Sequence, residues 1–161
     1  MGFQTSVSIT PAIGVDGSLA STNVVVSHAA PEGGFVAGTG GATVGRFGWI
    51  QSDGVSVLTS GTGKPNGFIV RNMQALNTTY LSEYGAVIPK GFPVTLTSNA
   101  SILVKSTVAA ATLGQKAFAS LTDGSVQPGA AGATISGYIE TDFYIKRTVA
   151  AIGDLTVINK L

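Results

Sequence analysis

The apolar positions of the chain fall in short β-branched runs separated by turn residues. Asp53-Gly54 separates VGRFGWIQ from VSVLTS, and Asn66-Gly67 precedes FIVR. Asp123-Gly124 separates QKAFASL from SVQP, and Asn99-Ala100 lies between FPVTLTS and SILVKSTV. Asp-Gly and Asn-Gly pairs favour the positive φ angles of tight hairpin turns. Many short strands at turn spacing predict an all-β domain, either a small barrel or a sandwich, since both have the same periodicity.

Polar and apolar residues alternate along the segment GYIETDFYIK. A strand with this pattern has a more polar face and a more apolar face. Glu140 and Asp142 fall on the more polar face, with Lys146 one further step along. Two carboxylates supply too few oxygens for a calcium site, which needs six to eight. We therefore expect a solvated polar face with Lys146 as its ion partner, and no metal site. The opposite, more apolar face is predicted to be core and contains Ile139, Thr141, Phe143 and Ile145.

Helical spacing is found in one segment, RNMQALNTTYLSEY. Met73, Leu76, Tyr80 and Tyr84 lie three and four residues apart there, although two adjacent threonines weaken the pattern. The segment TVAAATLG is compatible with one helical turn ending at Gly114, or equally with a loop. The sequence thus predicts at most one or two short helices.

The chain has the length of one domain. Its 161 residues are enough for one hydrophobic core and too few for two comfortable ones. Residues 1–34 contain short apolar stretches interrupted by Pro11, Asp16-Gly17 and Pro31. We predict an extended N-terminal arm over 1–34, with up to two short strands, and a β-rich core domain over 35–161.

Composition excludes several classes of function. Charged residues make up only 11%, against about 25% in an average soluble protein, and the mean hydropathy is +0.38. No apolar run approaches the roughly 18 residues of a spanning helix, so no membrane segment is expected. The nine basic residues are scattered, which argues against direct nucleic-acid binding. A chain so poor in charge is expected to bury surface against copies of itself or another partner.

Candidate catalytic and cofactor motifs are incomplete. The segment FVAGTGGATVGRFGW has Thr43 where a dinucleotide fingerprint needs its third glycine, and GTGKPNG has Pro65 where a phosphate loop needs Ser or Thr. His28 is the only histidine, and no nucleophile motif accompanies it. Cysteine is absent, which removes disulfides and thiolate sites. We expect no enzyme activity and no cofactor. The N-terminus also lacks a signal peptide, so cytoplasmic synthesis is expected.

The aromatic residues allow two interpretations. Phe47 and Trp49 lie two apart and share a face if their segment is a strand. Together with Tyr80 and Tyr84 they are candidates for a sugar platform, but core packing is the more common role of such rings. Arg46 points to the other face and suits an ion pair or a partner carboxylate.

Several blocks of the sequence resemble the head decoration, or structural cement, proteins of tailed bacteriophages. These blocks are MGFQTSV, AGTGGATVGRFGW, FIVRNMQALNTTYL with IPKGFPVTL, GQKAFASLTDGSV, and the closing SGYIETDFYIKRTVAAIGDLTVINKL. The resemblance runs over nearly the whole chain.

The resemblance implies a non-enzymatic virion protein on the outside of the capsid. Such proteins typically bind as trimers and clamp neighbouring major-capsid subunits after the shell expands. The arm is then expected to become ordered on the shell, and the glycines of the segment at 35–49 are expected to let the chain approach a neighbour. The expected partners are the major capsid protein and two further copies of this chain. Candidate interface residues are Phe3, Phe35, Arg46, Phe47 and Trp49.

Two other binding roles remain open at this point. A tail or baseplate β module has a similar composition, and a carbohydrate-binding β-sandwich would use the aromatic set described above.

Overall fold

The computed structural model describes residues 13–21, 24–71, 85–108 and 110–160. Within these ranges the secondary structure consists of β-strands and no helix, which confirms the all-β prediction. Correspondingly, no helix in the described ranges is long and apolar enough to cross a membrane. The strands are β1 (Val26–Ser27), β2 (Phe35–Ala37), β3 (Ala42–Thr43), β4 (Phe47–Ile50), β5 (Ser56–Leu58), β6 (Gly67–Ile69), β7 (Val87–Ile88), β8 (Pro93–Val94), β9 (Leu96–Asn99), β10 (Ile102–Lys105), β11 (Lys116–Ser120), β12 (Val126–Gly129), β13 (Tyr138–Ile145) and β14 (Leu155–Lys160).

The two segments for which a helix was predicted differ in what the structure shows of them. The segment RNMQALNTTYLSEY lies outside the described residues except for Arg71. In the second segment, Ala111 forms an antiparallel bridge with Val149, and Gly114 has a φ of +89°. Residues 110–114 therefore form a bridge and a turn, and the helical alternative was wrong for them.

The strands form two main sheets and a small one. Seven strands follow the order β1-β9-β6-β4-β5-β2-β8, five follow β10-β14-β13-β11-β12, and β3 pairs with β7. Only Thr95 separates β8 from β9, although β8 ends the first sheet and β9 lies near its other end. The seven-stranded sheet must therefore curl strongly. Its strand order stays open, so the domain is a sandwich of a curled sheet and a second sheet.

The predicted turns occur at two of the four positions. Asp53-Gly54 closes the β4–β5 hairpin and Asp123-Gly124 closes β11–β12, with φ of +70° at Gly54 and +68° at Gly124. Asn99-Ala100 forms no turn: Asn99 is the last residue of β9, and the chain passes from there into β10 of the second sheet. The prediction at Asn66-Gly67 was wrong, because Gly67 begins β6 and the positive φ, +74°, lies earlier at Gly63.

The hydrophobic core has two parts that meet at β4. Phe47 and Trp49 point into the cluster between the two sheets, where Phe68 and Phe143 also lie. The second cluster fills the curl of the first sheet and is covered by β3 and β7. A Cβ at Gly48 would press against Leu96 and Val57 of that cluster. The central strand β4 is therefore buried on both faces, and its glycine lets the two layers approach closely.

Strand β13 confirms the predicted alternation. Thr141, Phe143 and Ile145 are buried and Ile139 packs against the core, whereas Asp142 is exposed on the other side. The pairing of β13 with β11 shifts register opposite Lys116–Phe118. A bulge of this kind redirects the side chains of the strand that carries the extra residue.

Candidate functional site

The predicted interface residue Phe47 lies at the centre of the core between the sheets. Its side chain is fully buried, and its ring meets Phe68 edge-on at 5.1 Å and Phe143 at 5.6 Å between centroids. Such edge-to-face geometry is the favoured arrangement of aromatic pairs. Phe47 therefore connects the two sheets of the sandwich.

Trp49 shares this face with Phe47, as expected for two residues on one strand. Only 4% of its surface is exposed, and its Nε1 donates a hydrogen bond to the Gly63 carbonyl at 3.0 Å. Gly61 lies so close to the indole that a Cβ there would collide with the ring. A sugar platform needs an open ring face, so Phe47 and Trp49 do not form one. Tyr80 and Tyr84 lie outside the described residues.

Phe35 belongs to the other core cluster, inside the curled sheet. Its ring contacts the His28 imidazole edge-on, with 6.0 Å between centroids. The backbone N–H of His28 donates to the Leu96 carbonyl at 2.8 Å, so the unique histidine is held in an apolar setting beside a strand. Phe3 lies outside the described residues. The interface role of Phe3 and Phe35 stays a prediction.

Arg46 reaches the surface next to the buried β4. Its Nη1 lies 3.3 Å from Oδ2 of Asp123, in the turn of the β11–β12 hairpin. Because both side chains are partly exposed, the ion pair contributes at most about 1 kcal/mol to stability. Of the two roles expected for Arg46, the ion pair is present within the chain.

The polar face of β13 carries ion pairs, one of which reaches a connection of the first sheet. Asp142 lies 2.9 Å from Nζ of Lys64, in the β5–β6 connection, and 3.5 Å from Nζ of Lys160. The hydrogen bond from Lys64 lowers the pKa of the Asp142 carboxyl. The predicted partner Lys146 was wrong, since its Nζ lies 5.9 Å from the Tyr144 ring centroid instead. No group of three potential metal-binding side chains occurs in the described part of the chain.

Asp16 and Gly17 fasten the arm to the rest of the domain. The backbone carbonyl of Asp16 accepts a hydrogen bond from Nε of Arg71 at 2.7 Å. The side-chain Oδ1 of Asp16 accepts one from the backbone amide of Lys105 at 3.1 Å. Burial raises the pKa of the Asp16 carboxyl, although the Lys105 amide opposes this shift. At Gly45, whose φ is +75°, a Cβ would lie 2.6 Å from the Asp16 carboxylate. The arm is thus seated where the glycine-rich segment has no side chain.

The described residues on either side of positions 22–23 pair with a strand of each main sheet. Leu19 bridges Ile102 of β10, and the flanking amides and carbonyls of 17–20 bond to those of 101–103 at 2.8–2.9 Å. Farther on, Val26 pairs with Asn99 of β9. Sequence reasoning identified Asp16-Gly17 only as an interruption of the arm. In the sequence, Asp16-Gly17 is visible only as a turn pair within an apolar segment. Nothing in that pattern points to its distant partners Arg71 and Lys105.

Comparisons with known proteins agree with this architecture. The model of the XM1 gp53 minor capsid protein family matches residues 3–160. A solved chain from the capsid of Myoviridae phage XM1 is similar in fold, with a TM-score of 0.68 and 16% identity. The alignment covers 99% of this chain and 97% of that chain. No curated protein matches the sequence.

Proposed function

Because the chain belongs to the XM1 gp53 minor capsid protein family, and so is a structural protein of a tailed-phage virion, we propose that it decorates the capsid. In this role it binds the outer surface of the expanded head and clamps neighbouring major-capsid subunits. The observation that carries the proposal is the family match over residues 3–160, together with a fold shared along nearly the whole chain with a phage capsid chain.

The architecture supports a mechanical role. The core clusters on both faces of β4 join the two sheets, and the aromatic contacts of Phe47 connect them directly. Protein interiors packed in this way have low compressibility and transmit strain. A subunit of this kind is suited to hold two neighbours at a fixed distance while packaged DNA presses on the shell.

Attachment to a repeating lattice supplies the strength of the clamp. Three copies joined as a homotrimer present three equivalent contacts to the shell, and linked contacts bind far more tightly than one alone. Each contact can then be modest. The low charge of the chain, 11% of its residues, suits surfaces that are covered in an assembly.

The division into an arm over 1–34 and a core domain over 35–161 is part of the proposal. The described arm residues already pair with β9 and β10, so this part needs no shell to become ordered. Phe35, Phe47 and Trp49 are buried within the chain, and we propose that they maintain the shape of the subunit. Arg46, partly exposed beside the β11–β12 turn, is the described candidate that a partner reaches directly.

Co-sedimentation with phage heads tests the proposal. The purified protein is mixed with expanded heads assembled without it and, separately, with unexpanded precursor shells. Saturable binding to expanded heads alone is the expected result. Binding to neither particle would contradict decoration and favour a tail or baseplate position, which labelled electron micrographs of complete virions would then locate.

A further inference from the structure

The described arm exposes a run of large apolar side chains. Of the ten large hydrophobic residues that are exposed in the described ranges, six lie between positions 13 and 26, with exposed fractions of 43–74%. Single exposed apolar residues are ordinary on protein surfaces, but such a concentration in one segment indicates a contact surface. We name this set the arm ridge: Ile13, Val15, Leu19, Val24, Val25 and Val26.

The exposure of the arm ridge is fixed by backbone pairing on both sides of residues 22–23. Leu19 is bridged to Ile102, and the carbonyl of Val15 accepts hydrogen bonds from the backbone and side chain of Ser18. Val26 is paired with Asn99. The side chains of Leu19 and Val26 thus stay exposed although their backbones are already paired with the domain. Within the described part of the chain they are left in water.

The segment that carries the arm ridge contains no basic residue of its own. No Lys or Arg occurs in the first 45 residues of the chain. The carboxylate of Asp16, the one acidic residue between positions 13 and 26, is turned toward the Lys105 amide and Gly45. Charged residues are depleted in the central parts of protein interfaces, whereas phosphate-binding surfaces need them. Lys105 and Arg71 line the same depression as Val15, so basic groups border the ridge there, but the six ridge side chains are all aliphatic. The ridge itself therefore fits an apolar protein surface.

The size of the arm ridge argues for a lattice as its partner. Six partly exposed aliphatic side chains offer at most a few hundred Å² of apolar surface in total. A stable pair of proteins in solution needs about 800 Å² from each partner. The ridge is too small to hold two copies of the chain together, but repeated weak contacts suffice on a shell that offers many equivalent sites.

We propose that the arm ridge is the surface by which the subunit sits on the capsid shell, through side-chain contact with an apolar part of the major capsid protein. This inference rests on the proposed decoration function and adds the contact surface. Since the described residues 17–20 and 26–27 already pair with this chain's own sheets, the contact of the ridge involves side chains.

Charge introduced on the ridge tests the inference. The double variant I13D/V24D places two carboxylates on the ridge, whereas L113D/I152D places two at positions that are 66% and 68% exposed elsewhere. Both variants change the net charge equally. We expect half-saturation of expanded heads by I13D/V24D to need at least about tenfold more protein, because apolar contacts do not accommodate a carboxylate. The control should bind like the unmodified chain.

Three further readings separate the possible outcomes. Thermal unfolding and the mass from light scattering should be the same for both variants and the unmodified chain. Binding of the unmodified chain should change less than about twofold between 0.05 and 0.5 M salt, because screening weakens only charged contacts.

Equal head binding by both variants would overturn the ridge assignment and leave decoration intact. Failure of the unmodified chain to bind would instead remove decoration itself, and the ridge assignment with it. A lower mass of I13D/V24D would show that the ridge joins copies of the chain, which also overturns the assignment.

Discussion

Replacement of Phe47 by Ala distinguishes a core residue from an interface anchor. The side chain is fully buried between the sheets, and its ring packs edge-to-face with Phe68 and Phe143. Truncation of a buried Phe costs about 3–5 kcal/mol, and aromatic pairs contribute about 0.5–1.5 kcal/mol each beyond burial. Because alanine removes both aromatic pairs, we expect the free energy of unfolding to fall by about 4–5 kcal/mol. Domains of this type have about 5–15 kcal/mol in total.

The assay is unfolding by denaturant and by heat at one fixed protein concentration. For a chain of this length, about 4–5 kcal/mol corresponds to a decrease of about 8–20 °C in Tm. Phe47→Leu keeps most of the volume and should cost about 1–2 kcal/mol. Leu113→Ala, at a position 66% exposed, is the surface control and should change little. Unchanged unfolding of Phe47→Ala combined with loss of head binding would refute the core assignment and restore the interface role.

Three other substitutions test local features of the structure. Thr97→Val should stabilise the domain by about 1 kcal/mol in denaturant unfolding, because the buried Thr97 hydroxyl lacks a hydrogen-bond partner in the described structure. A less stable variant would show that the hydroxyl has such a partner. Gly124→Ala should lower the free energy of unfolding several times more than Gly54→Ala. Both glycines have a positive φ, but only at position 124 would the new Cβ collide with the Phe47 carbonyl. Equal losses of stability would contradict this reasoning. Burial raises the pKa of the Asp16 carboxyl above 3.8, so the folded chain holds this proton to higher pH than the unfolded chain does. The free energy of unfolding should therefore fall as pH rises through the window above 3.8. That contribution should disappear in Asp16→Asn, as followed by unfolding at a series of pH values, and an unchanged slope would contradict it.

Features that depend on neighbouring residues could be predicted from the sequence. The alternation in β13 correctly identified Phe143 and Ile145 as core, because the period of two is set by strand geometry. The Asp-Gly pairs at 53–54 and 123–124 closed hairpins for the same local reason. Asn66-Gly67 failed because its glycine is required elsewhere: Gly67 lies in β6, where a Cβ would be 2.8 Å from the Thr97 carbonyl oxygen. Glycine is required both where a neighbouring strand approaches closely and where a turn needs a positive φ. The sequence alone does not distinguish these two requirements.

Features that depend on distant residues could not be predicted. The partners of Asp142 are Lys64 and Lys160, of which Lys64 is 78 positions away, whereas the sequence suggested the nearby Lys146. The burial of Trp49 under Gly61 likewise depends on the path of the chain from β5 to β6, which pair with opposite edges of β4. Spacing along a strand gives the face on which a side chain lies. It does not say whether a second layer covers that face.

The glycine-rich segment from Phe35 to Trp49 shows how these two kinds of information combine. Its composition suits a phosphate loop, a ligand pocket or a contact with a neighbouring protein. In the fold, Gly45 leaves room for the Asp16 carboxylate. Gly48 lets the second hydrophobic cluster, inside the curled sheet, pack against β4. The close approach that glycine permits is therefore made within one chain, between the arm and the sandwich. The contact at Asp16 fixes the backbone beside Ile13, Val15 and Leu19, whose side chains stay exposed. The segment thus acts on the proposed capsid contact indirectly, by positioning this part of the arm.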